Sequence, residues 1–191
     1  MKVGVLSLQG DVREHLNILN RIGVEGIRVR TRDELKEISG LIIPGGESTT
    51  IGKLLKRFNL LDIIREKIED GFPVFGTCAG FILLAKEIEP ETGQPRIGVL
   101  NVKIKRNAFG RQLDSHEVDL EIKGFNKPFH AVFIRAPIVE KVGENVEVLS
   151  TIDKGIVFVR QKNILGAAFH PELTEDTRIH EMFIKIIKER R

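Results

Sequence analysis

The only cysteine of the chain, Cys78, lies in the segment GTCAG, with a glycine two residues before it and another two residues after it. An apolar run precedes this segment, so Cys78 follows a predicted strand and opens a predicted helix. Small neighbours let such a turn adopt a strained backbone that exposes a nucleophile, as in the G-x-S-x-G elbow. N–H groups at a helix start also stabilise a thiolate. Cys78 is therefore a candidate nucleophile, and the alternative is a small buried apolar residue.

A nucleophilic cysteine needs a neighbouring base, and the chain has five histidines. Two lie in the predicted first and last helices, where we expect solvent-facing positions, and two lie in or beside edge-like strands. The helical pair is His15 and His180, and the strand pair is His116 and His130. His170 differs because it ends the apolar run ILGAAF, which places it at the carboxyl edge of a parallel sheet, beside Cys78. The alternative for His170 is a capping or core histidine.

A carboxylate follows this histidine in the sequence HPEL, two residues further on. We expect an extended segment, because Pro171 disfavours a helical conformation for the residue before it. Residues two apart in an extended chain point to the same side, so Glu172 can accept a hydrogen bond from one nitrogen of His170. The other nitrogen then faces Cys78. The sequence therefore predicts a nucleophile, a base and an orienting acid in Cys78, His170 and Glu172.

A glycine-rich turn, LIIPGGEST, is a third candidate part of the site. Gly45 and Gly46 end a buried run before a helix whose expected N-cap is Ser48 or Thr49. Backbone N–H groups freed at such a turn can stabilise an oxyanion. No lysine follows in the Walker pattern, so a phosphate loop is not indicated. Taken alone the two glycines are a weak signal, because turns that end strands often contain them.

Alternating strands and helices must position these residues in the first half of the chain. Its strands are continuously apolar, which predicts a parallel sheet covered on both faces. In the second half, we expect short strands that join the sheet in antiparallel fashion, then one more buried strand before His170 and a closing helix. The short runs are residues 99–106, 116–122, 130–136, 146–152 and 155–161. We therefore expect an α/β fold of three layers, with a mostly parallel central sheet, in one domain over residues 1–191. The predicted first-half strands are residues 3–8, 26–31, 40–46 and 72–78. The predicted first-half helices are 11–22, two helices across 49–70, and 79–86, and the closing helix is 176–191.

The amino-acid composition limits the kinds of partner that we expect this protein to bind. The 30 basic and 27 acidic residues of the 191-residue chain are interleaved, and tryptophan and tyrosine are absent, so nucleic-acid binding is not indicated. Only KIKRNAFGRQ is locally basic, and it lacks the aromatic pattern of an RNA-binding strand. No apolar run approaches the ~20 residues of a membrane helix, and the N-terminus lacks a signal-peptide pattern. With one cysteine and hence no internal disulfide, a cytoplasmic protein without a membrane role is expected.

The blocks PGGES, GTCAG and HPE follow one another as in the class I glutamine amidotransferases, and the chain resembles that family. The wider blocks GVLSLQGD, IIPGGEST, RNAFGRQ, FIRAP and AAFHPEL resemble the branch of glutaminases that serve pyridoxal phosphate synthases. These blocks run from residue 4 to residue 173, nearly the whole chain. The resemblance implies a glutaminase that uses L-glutamine and needs neither a metal nor an organic cofactor. It also implies that ammonia passes to a separate pyridoxal phosphate synthase subunit as partner.

The resemblance also implies a role for each matching residue. Cys78 would attack the side-chain amide of glutamine, His170 would move the proton, and Glu172 would orient His170. The loop residues would contact bound glutamine near its oxyanion, and the residues after them in the chain would hold its amino-acid end. These implied substrate-binding residues are Gly46, Glu47 and Ser48 in the loop, then Arg106, Ile134 and Arg135.

Two other functions stay open at this point. One is a glutaminase for another pathway, such as histidine biosynthesis. The other is a catalytically silent binding subunit, or a scaffold similar to a cysteine peptidase.

Overall fold

The computed structural model describes residues 1–108 and 115–190. These residues form a ten-stranded sheet, a separate two-stranded sheet and six α-helices. The strands are β1 (Lys2–Leu6), β2 (Glu25–Val29), β3 (Gly40–Ile43), β4 (Val74–Thr77), β5 (Ala85–Glu89), β6 (Leu100–Lys105), β7 (Ser115–Leu120), β8 (Phe129–Ile134), β9 (Ile138–Val142), β10 (Glu147–Ile152), β11 (Gly155–Gln161) and β12 (Ile164–Ala167). The helices are α1 (Val12–Arg21), α2 (Arg32–Lys36), α3 (Ser48–Arg57), α4 (Leu61–Glu69), α5 (Ala79–Leu84) and α6 (Arg178–Glu189), and a 3-10 helix spans Pro171–Leu173.

The large sheet has the order β2-β1-β3-β4-β12-β11-β9-β6-β5, with β10 paired to β11. The five strands from β2 to β12 are parallel, and β11, β9 and β10 join through antiparallel pairs. The predicted α/β fold with antiparallel additions is therefore confirmed.

The prediction that the runs at 116–122 and 130–136 join the large sheet was wrong. Their strands, β7 and β8, pair only with each other among the described residues, because they form a hairpin apart from the main sheet.

Helices cover both faces of the parallel part of the sheet, as the alternation of side chains along β4 shows. The ring of Phe75 packs against those of His15 in α1 and Phe183 in α6, at centroid distances of 6.4 and 5.7 Å. Its neighbour Gly76 points the other way, where an added Cβ would meet Leu84 of α5 at 2.7 Å. Successive strand residues face opposite sides of a sheet, so α1 and α6 form one outer layer and α5 belongs to the other.

Three short elements escaped the sequence prediction. The predicted helix at 79–86 ends at Leu84, and the chain continues as β5, an edge strand whose sequence AKEIE has charged residues typical of a helix surface. Strand β9 is also short and charged at one end. Helix α2 has only five residues, and its signal was the capping box in which Thr31 and Glu34 exchange hydrogen bonds. Among the described residues, no helix is long and apolar enough to cross a membrane.

The two-stranded sheet supports the end of β12. The rings of Phe129 and Phe133 in β8 each lie 5.7 Å from that of Phe169, and the N–H of His170 donates to the carbonyl oxygen of Val132 at 2.8 Å. These contacts fix the backbone at the point where the chain leaves the large sheet.

Candidate active site

The carboxyl ends of β1, β3, β4 and β12 meet at one edge of the sheet, and the segments that follow them surround a cavity of about 420 Å³. Open parallel sheets bind their ligands at such an edge. Cys78 and His170 line this cavity, and Glu172 is buried beside His170. All six residues predicted to bind the substrate also line it: Gly46, Glu47, Ser48, Arg106, Ile134 and Arg135.

Cys78 occupies a strained turn between β4 and α5. Its φ of 46° and ψ of −101° are unusual for a residue other than glycine. The turn is held because the N–H of Cys78 donates to the carbonyl oxygen of Ala167 at 2.8 Å, and its own carbonyl oxygen accepts from the N–H of Ile82 at 3.1 Å. The thiol therefore sits at the N-terminus of α5, at the wall of the cavity.

The two glycines of GTCAG allow this turn to pack against the sheet. A Cβ on Gly80 would collide with the carbonyl oxygen of Ile43 in β3. A Cβ on Gly76 would lie 2.7 Å from the backbone of Gly80. Both contacts would be closer than side chains ever come in practice. Only glycine therefore lets α5 begin this close to β3 and β4.

His170 and Glu172 form a buried hydrogen-bonded pair. Nδ1 of His170 lies 2.8 Å from Oε1 of Glu172, and the two side chains are 5% and 0% exposed. The expected extended segment is wrong, because Glu172 belongs to the 3-10 helix Pro171–Leu173. Proline restricts the residue before it, and His170 is indeed non-helical, but proline itself suits the first position of a helix. The short helical turn still brings the carboxylate to the ring.

The second ring nitrogen of His170 is the one available to the thiol. Nδ1 is the atom that meets Glu172. Nε2 is buried and has no hydrogen-bond partner in the part of the chain that the structure describes. Burial lowers the pKa of His170, but the neighbouring Cys78 and Glu172 outweigh that effect and raise this pKa to about 10. His170 is therefore cationic at neutral pH.

A second carboxylate, Asp11, lies near the same ring and was missed by the sequence analysis. Its Oδ2 is 3.5 Å from Nδ1 of His170. Burial raises the pKa of Asp11, and the charge of His170 lowers it in part. Asp11, His170 and Glu172 bring possible metal-ligand atoms within 4.8 Å of one another. Because the His170 and Glu172 atoms already bond to each other, we interpret the group as an acid–base cluster. The signal in the sequence was the block LQGD, which carried no assigned role.

The loop after β3 lies against His170. A Cβ on Gly45 would meet Cε1 of His170 at 2.5 Å, so glycine is needed for this approach. The next glycine, Gly46, has a φ of 154°, and a Cβ there would meet Oε1 of Gln9 at 2.6 Å. That same Gln9 oxygen accepts a hydrogen bond from the N–H of Glu47 at 2.8 Å. Gln9, a second residue that the sequence analysis missed, thus fixes the loop from the β1 side.

The N-cap of α3 is Glu47, so the prediction of Ser48 or Thr49 was wrong. The Glu47 carboxylate accepts from the N–H of Thr50 at 3.0 Å and from its hydroxyl group at 2.7 Å. A carboxylate at this position is favoured by the helix dipole as well as by these bonds. The hydrogen bond from Thr50 also lowers the pKa of Glu47, which is charged at neutral pH.

Arg106 is joined to the start of α3 by a residue without a sequence signal, Gln94. Oε1 of Gln94 accepts from Nη1 of Arg106 at 3.1 Å and from the hydroxyl group of Thr49 at 3.0 Å. The hydroxyl group of Ser48 lies 3.4 Å from the same oxygen. Gln94 belongs to an irregular loop, so neither periodicity nor a motif indicated it.

Ile134 and Arg135 line the cavity at the end of β8. The carbonyl oxygen of Ile134 is 3.8 Å from Sγ of Cys78, and Arg135 has a positive φ of 43°. The strained backbone at Arg135 follows the end of β8 directly. In the block RNAFGRQ, residues 109–112 lie outside the described residues, whereas Arg106 is inside them.

The expected solvent-facing positions of His15 and His180 are wrong. Both side chains are fully buried, and Nδ1 of His15 lies 2.9 Å from Nε2 of His180. Their helices turn these positions toward β4, and the mutual hydrogen bond compensates for burying polar rings there. The strand pair behaves as expected: His130 is exposed in β8 and contacts two carboxylates, and His116 is half-buried in β7.

Comparison with known proteins agrees with this fold. A solved structure described as a crystal structure of glutamine amidotransferase superposes with a TM-score of 0.93 at 51% identity, covering 97% of this chain and 98% of the other. The fold is thus that of a glutamine amidotransferase. Residues 5–189 match the model of the SNO glutamine amidotransferase family, and the chain belongs to that family.

Two relatives are similar over 97% or more of their length. A protein of Carboxydothermus hydrogenoformans is 59% identical over 186 residues, which is 97% of each chain. A protein of Fervidobacterium nodosum is 54% identical over 191 residues, all of both chains. Each is named pyridoxal 5'-phosphate synthase subunit PdxT.

The charge of His170 predicts a dependence of stability on pH. Its pKa of about 10 in the folded chain exceeds the ordinary value of 6.5, so the bound proton stabilises the fold fully below about 6.5. That contribution is lost as the pH rises through about 10. Between pH values of about 7 and about 10, the free energy of unfolding should therefore fall more for the wild type than for His170→Asn. Urea denaturation at several pH values measures this, and parallel curves for the two proteins would contradict it.

Proposed function

We propose that this protein is the glutaminase subunit of a pyridoxal phosphate synthase, with Cys78 as nucleophile, His170 as base and Glu172 as orienting acid. It hydrolyses the side-chain amide of L-glutamine and supplies ammonia to the synthase subunit. The observation that carries the proposal is the meeting of a strained cysteine and a carboxylate-bound histidine at one cavity wall. Membership of a glutamine amidotransferase family supports amide hydrolysis as the chemistry.

The first half of the reaction transfers the acyl group to the enzyme. The Cys78 thiolate attacks the amide carbon of glutamine, and the carbonyl oxygen becomes an oxyanion. His170 then donates its Nε2 proton to the amide nitrogen, the C–N bond breaks, and ammonia leaves. The product is a glutamyl thioester on Cys78 with a neutral His170.

The second half releases glutamate. Neutral His170 accepts a proton from water through Nε2, and the resulting hydroxide attacks the thioester carbon. The C–S bond breaks and the thiolate and the imidazolium are restored. The side-chain carboxylic acid leaves and loses its proton to solvent, which gives glutamate. Glu172 keeps Nδ1 of His170 protonated throughout, so that Nε2 is the nitrogen that exchanges protons.

The cavity walls provide the groups that a glutamine side chain and its amino-acid end require. Backbone N–H groups of the loop at Gly46 and of Ala79, at the start of α5, are candidates to stabilise the oxyanion. The guanidinium groups of Arg106 and Arg135 offer positive charge for the substrate carboxylate. Glu47, which is charged, offers the opposite sign for the ammonium group.

The partner follows from the relatives. Both are named as subunits of pyridoxal 5'-phosphate synthase and match this chain over 97% or more of their length. The protein therefore acts with a synthase subunit that uses the ammonia to build pyridoxal phosphate.

We also place the protein in the cytoplasm, since a reducing compartment keeps a nucleophilic thiol active. Residues 1–191 act as one domain in this proposal, which is supported by an apolar cluster that contains residues of both sheets.

The triad is tested by three substitutions in the complex with the synthase subunit. Cys78→Ala should abolish ammonia release, because the thioester cannot form. His170→Asn should lower kcat by about 10³-fold or more, because proton transfer is lost, and Glu172→Gln should lower it less, because the base remains but is misoriented. Ammonia release from glutamine measures all three. The assignment fails if Cys78→Ala keeps activity, or if His170→Asn and Glu172→Gln behave like the wild type.

Arg106 is tested separately, through the Michaelis constant. Arg106→Ala should raise the KM for glutamine about ten-fold or more with a small change in kcat. The reason is that a contact to the substrate carboxylate is equally strong in the bound ground state and in the transition state. Arg160→Ala is the matched control, because Arg160 pairs with Glu189 away from the cavity. A KM that is unchanged in Arg106→Ala would remove Arg106 from the substrate site.

A further inference from the structure

A buried chain of polar side chains continues behind the acid–base pair of the active site. Oε2 of Glu172, the oxygen that does not meet His170, lies 3.5 Å from Nε2 of His15. Nδ1 of His15 lies 2.9 Å from Nε2 of His180. The side chains of His15, Glu172 and His180 are all shielded from solvent. The order of contacts is therefore His180, His15, Glu172 and His170, ending at Cys78.

Three elements bring this chain together. His15 comes from α1, His180 from α6, and the hydroxyl group of Thr77, at the end of β4, lies 3.2 Å from Nε2 of His15. The ring of Phe75 packs edge-on against both histidines at centroid distances of 6.4 and 5.9 Å. This packing leaves the two rings little freedom to turn, so their nitrogens face fixed partners.

Both histidines are neutral. Burial lowers the pKa of His15 well below its ordinary value of 6.5, and the nearby rings of His180 and His170 lower it further. Burial also lowers the pKa of His180, to about 3. Two neutral rings share one proton between Nδ1 of His15 and Nε2 of His180, so only two arrangements are possible.

The surroundings favour one of these arrangements. If Nδ1 of His15 carries the proton, its Nε2 turns a lone pair toward the Glu172 carboxylate, and the proton of His180 sits on Nδ1. That Nδ1 is buried without a hydrogen-bond partner in the described structure, so a proton on it would be an unpaired donor. If Nε2 of His15 carries the proton, it points at Glu172 and Thr77, and His180 donates to His15. Nδ1 of His180 then carries only a lone pair, so the described structure leaves an acceptor and not a donor without a partner.

We propose that His15 is a positioning residue for glutamine hydrolysis, whose neutral Nε2–H holds the second oxygen of Glu172 while His180 fixes the His15 tautomer. The inference rests on the proposed function, since it concerns the acid of that triad. At 3.5 Å, and with Thr77 as a competing acceptor, the contact is mainly electrostatic. It keeps Glu172 ionised in a fully buried place and keeps its other oxygen directed at His170.

A neutral donor suits this position better than a cation. The charged groups that face Glu172 are His170, which stabilises its charge, and Asp11, which opposes it. Burial raises the pKa of Glu172 above its ordinary value, so the carboxylate needs further stabilisation to stay ionised. A charged His15 would compete with His170 for this carboxylate, whereas a neutral N–H supports it without drawing it away.

Two substitutions separate positioning from packing. His15→Phe keeps a ring but removes the donor, and His15→Gln keeps an N–H donor in a smaller side chain. In the complex with the synthase subunit, His15→Phe should lower kcat about ten-fold at neutral pH with little change in KM. The acid limb of its kcat profile should move up by about one pH unit, because Glu172 loses the electrostatic support of the nearby N–H dipole and becomes easier to protonate. His15→Gln should recover most of both effects.

His130→Gln is the matched control, because His130 is exposed in β8 and its partners are the surface carboxylates of Glu117 and Asp119. It should keep the wild-type profile. An unchanged acid limb in His15→Phe, or equal profiles for His15→Phe and His15→Gln, would overturn the positioning role. Failure of the wild-type complex to release ammonia would instead contradict the proposed function.

A measurement on the wild-type chain does not depend on activity or on the folding of a variant. Nitrogen NMR of labelled histidine side chains should show His15 neutral and protonated on Nε2 from pH values of about 6 to about 9. The His15 variants identify its signal where they fold, and the contacts of its ring with Phe75 identify it otherwise. A His15 ring protonated on Nδ1, or charged in this range, would overturn the proposal.

Discussion

The positive φ of Cys78 is the constraint on which the rest of the site depends. A left-handed turn at a residue with a side chain costs of the order of 1 kcal/mol or more, so surrounding contacts must hold it. Hydrogen bonds to β12 and within the first turn of α5 do so, and the close approach of α5 to β3 requires glycine at position 80. The turn exposes the thiol to the cavity at the N-terminus of α5.

Once the thiol is fixed at this edge, the other parallel strands determine what surrounds it. Strand β12 ends beside β4 and delivers His170, β3 delivers the loop at Gly46, and β1 delivers Gln9, which holds that loop. The register of neighbouring parallel strands thus converts separate motifs of the sequence into one cavity. The β7–β8 hairpin completes it, because the backbone of β8 supports His170 and its end contributes Ile134.

The sequence predicted the elements whose signals are local. The parallel strands were continuous apolar runs, and the strand-to-helix turn at GTCAG and the HPE segment placed Cys78, His170 and Glu172 at the same edge. The missed features depend on tertiary contacts. Gln94 lies in an irregular loop, and Asp11 acts through its distance to a ring on another strand. His15 and His180 looked solvent-facing because a helical histidine is usually polar surface, and only the packing of α1 and α6 on β4 buries them.

The central claim is that Cys78 is the nucleophile activated by His170, and covalent labelling tests it most directly. The complex with the synthase subunit is treated with a diazoketone analogue of glutamine, and the modified peptide is identified by mass spectrometry. The account predicts one label per chain, on Cys78, protected by glutamine and strongly slowed in His170→Asn. A fully active complex that carries the label on another residue, or that labels equally fast in His170→Asn, would contradict it.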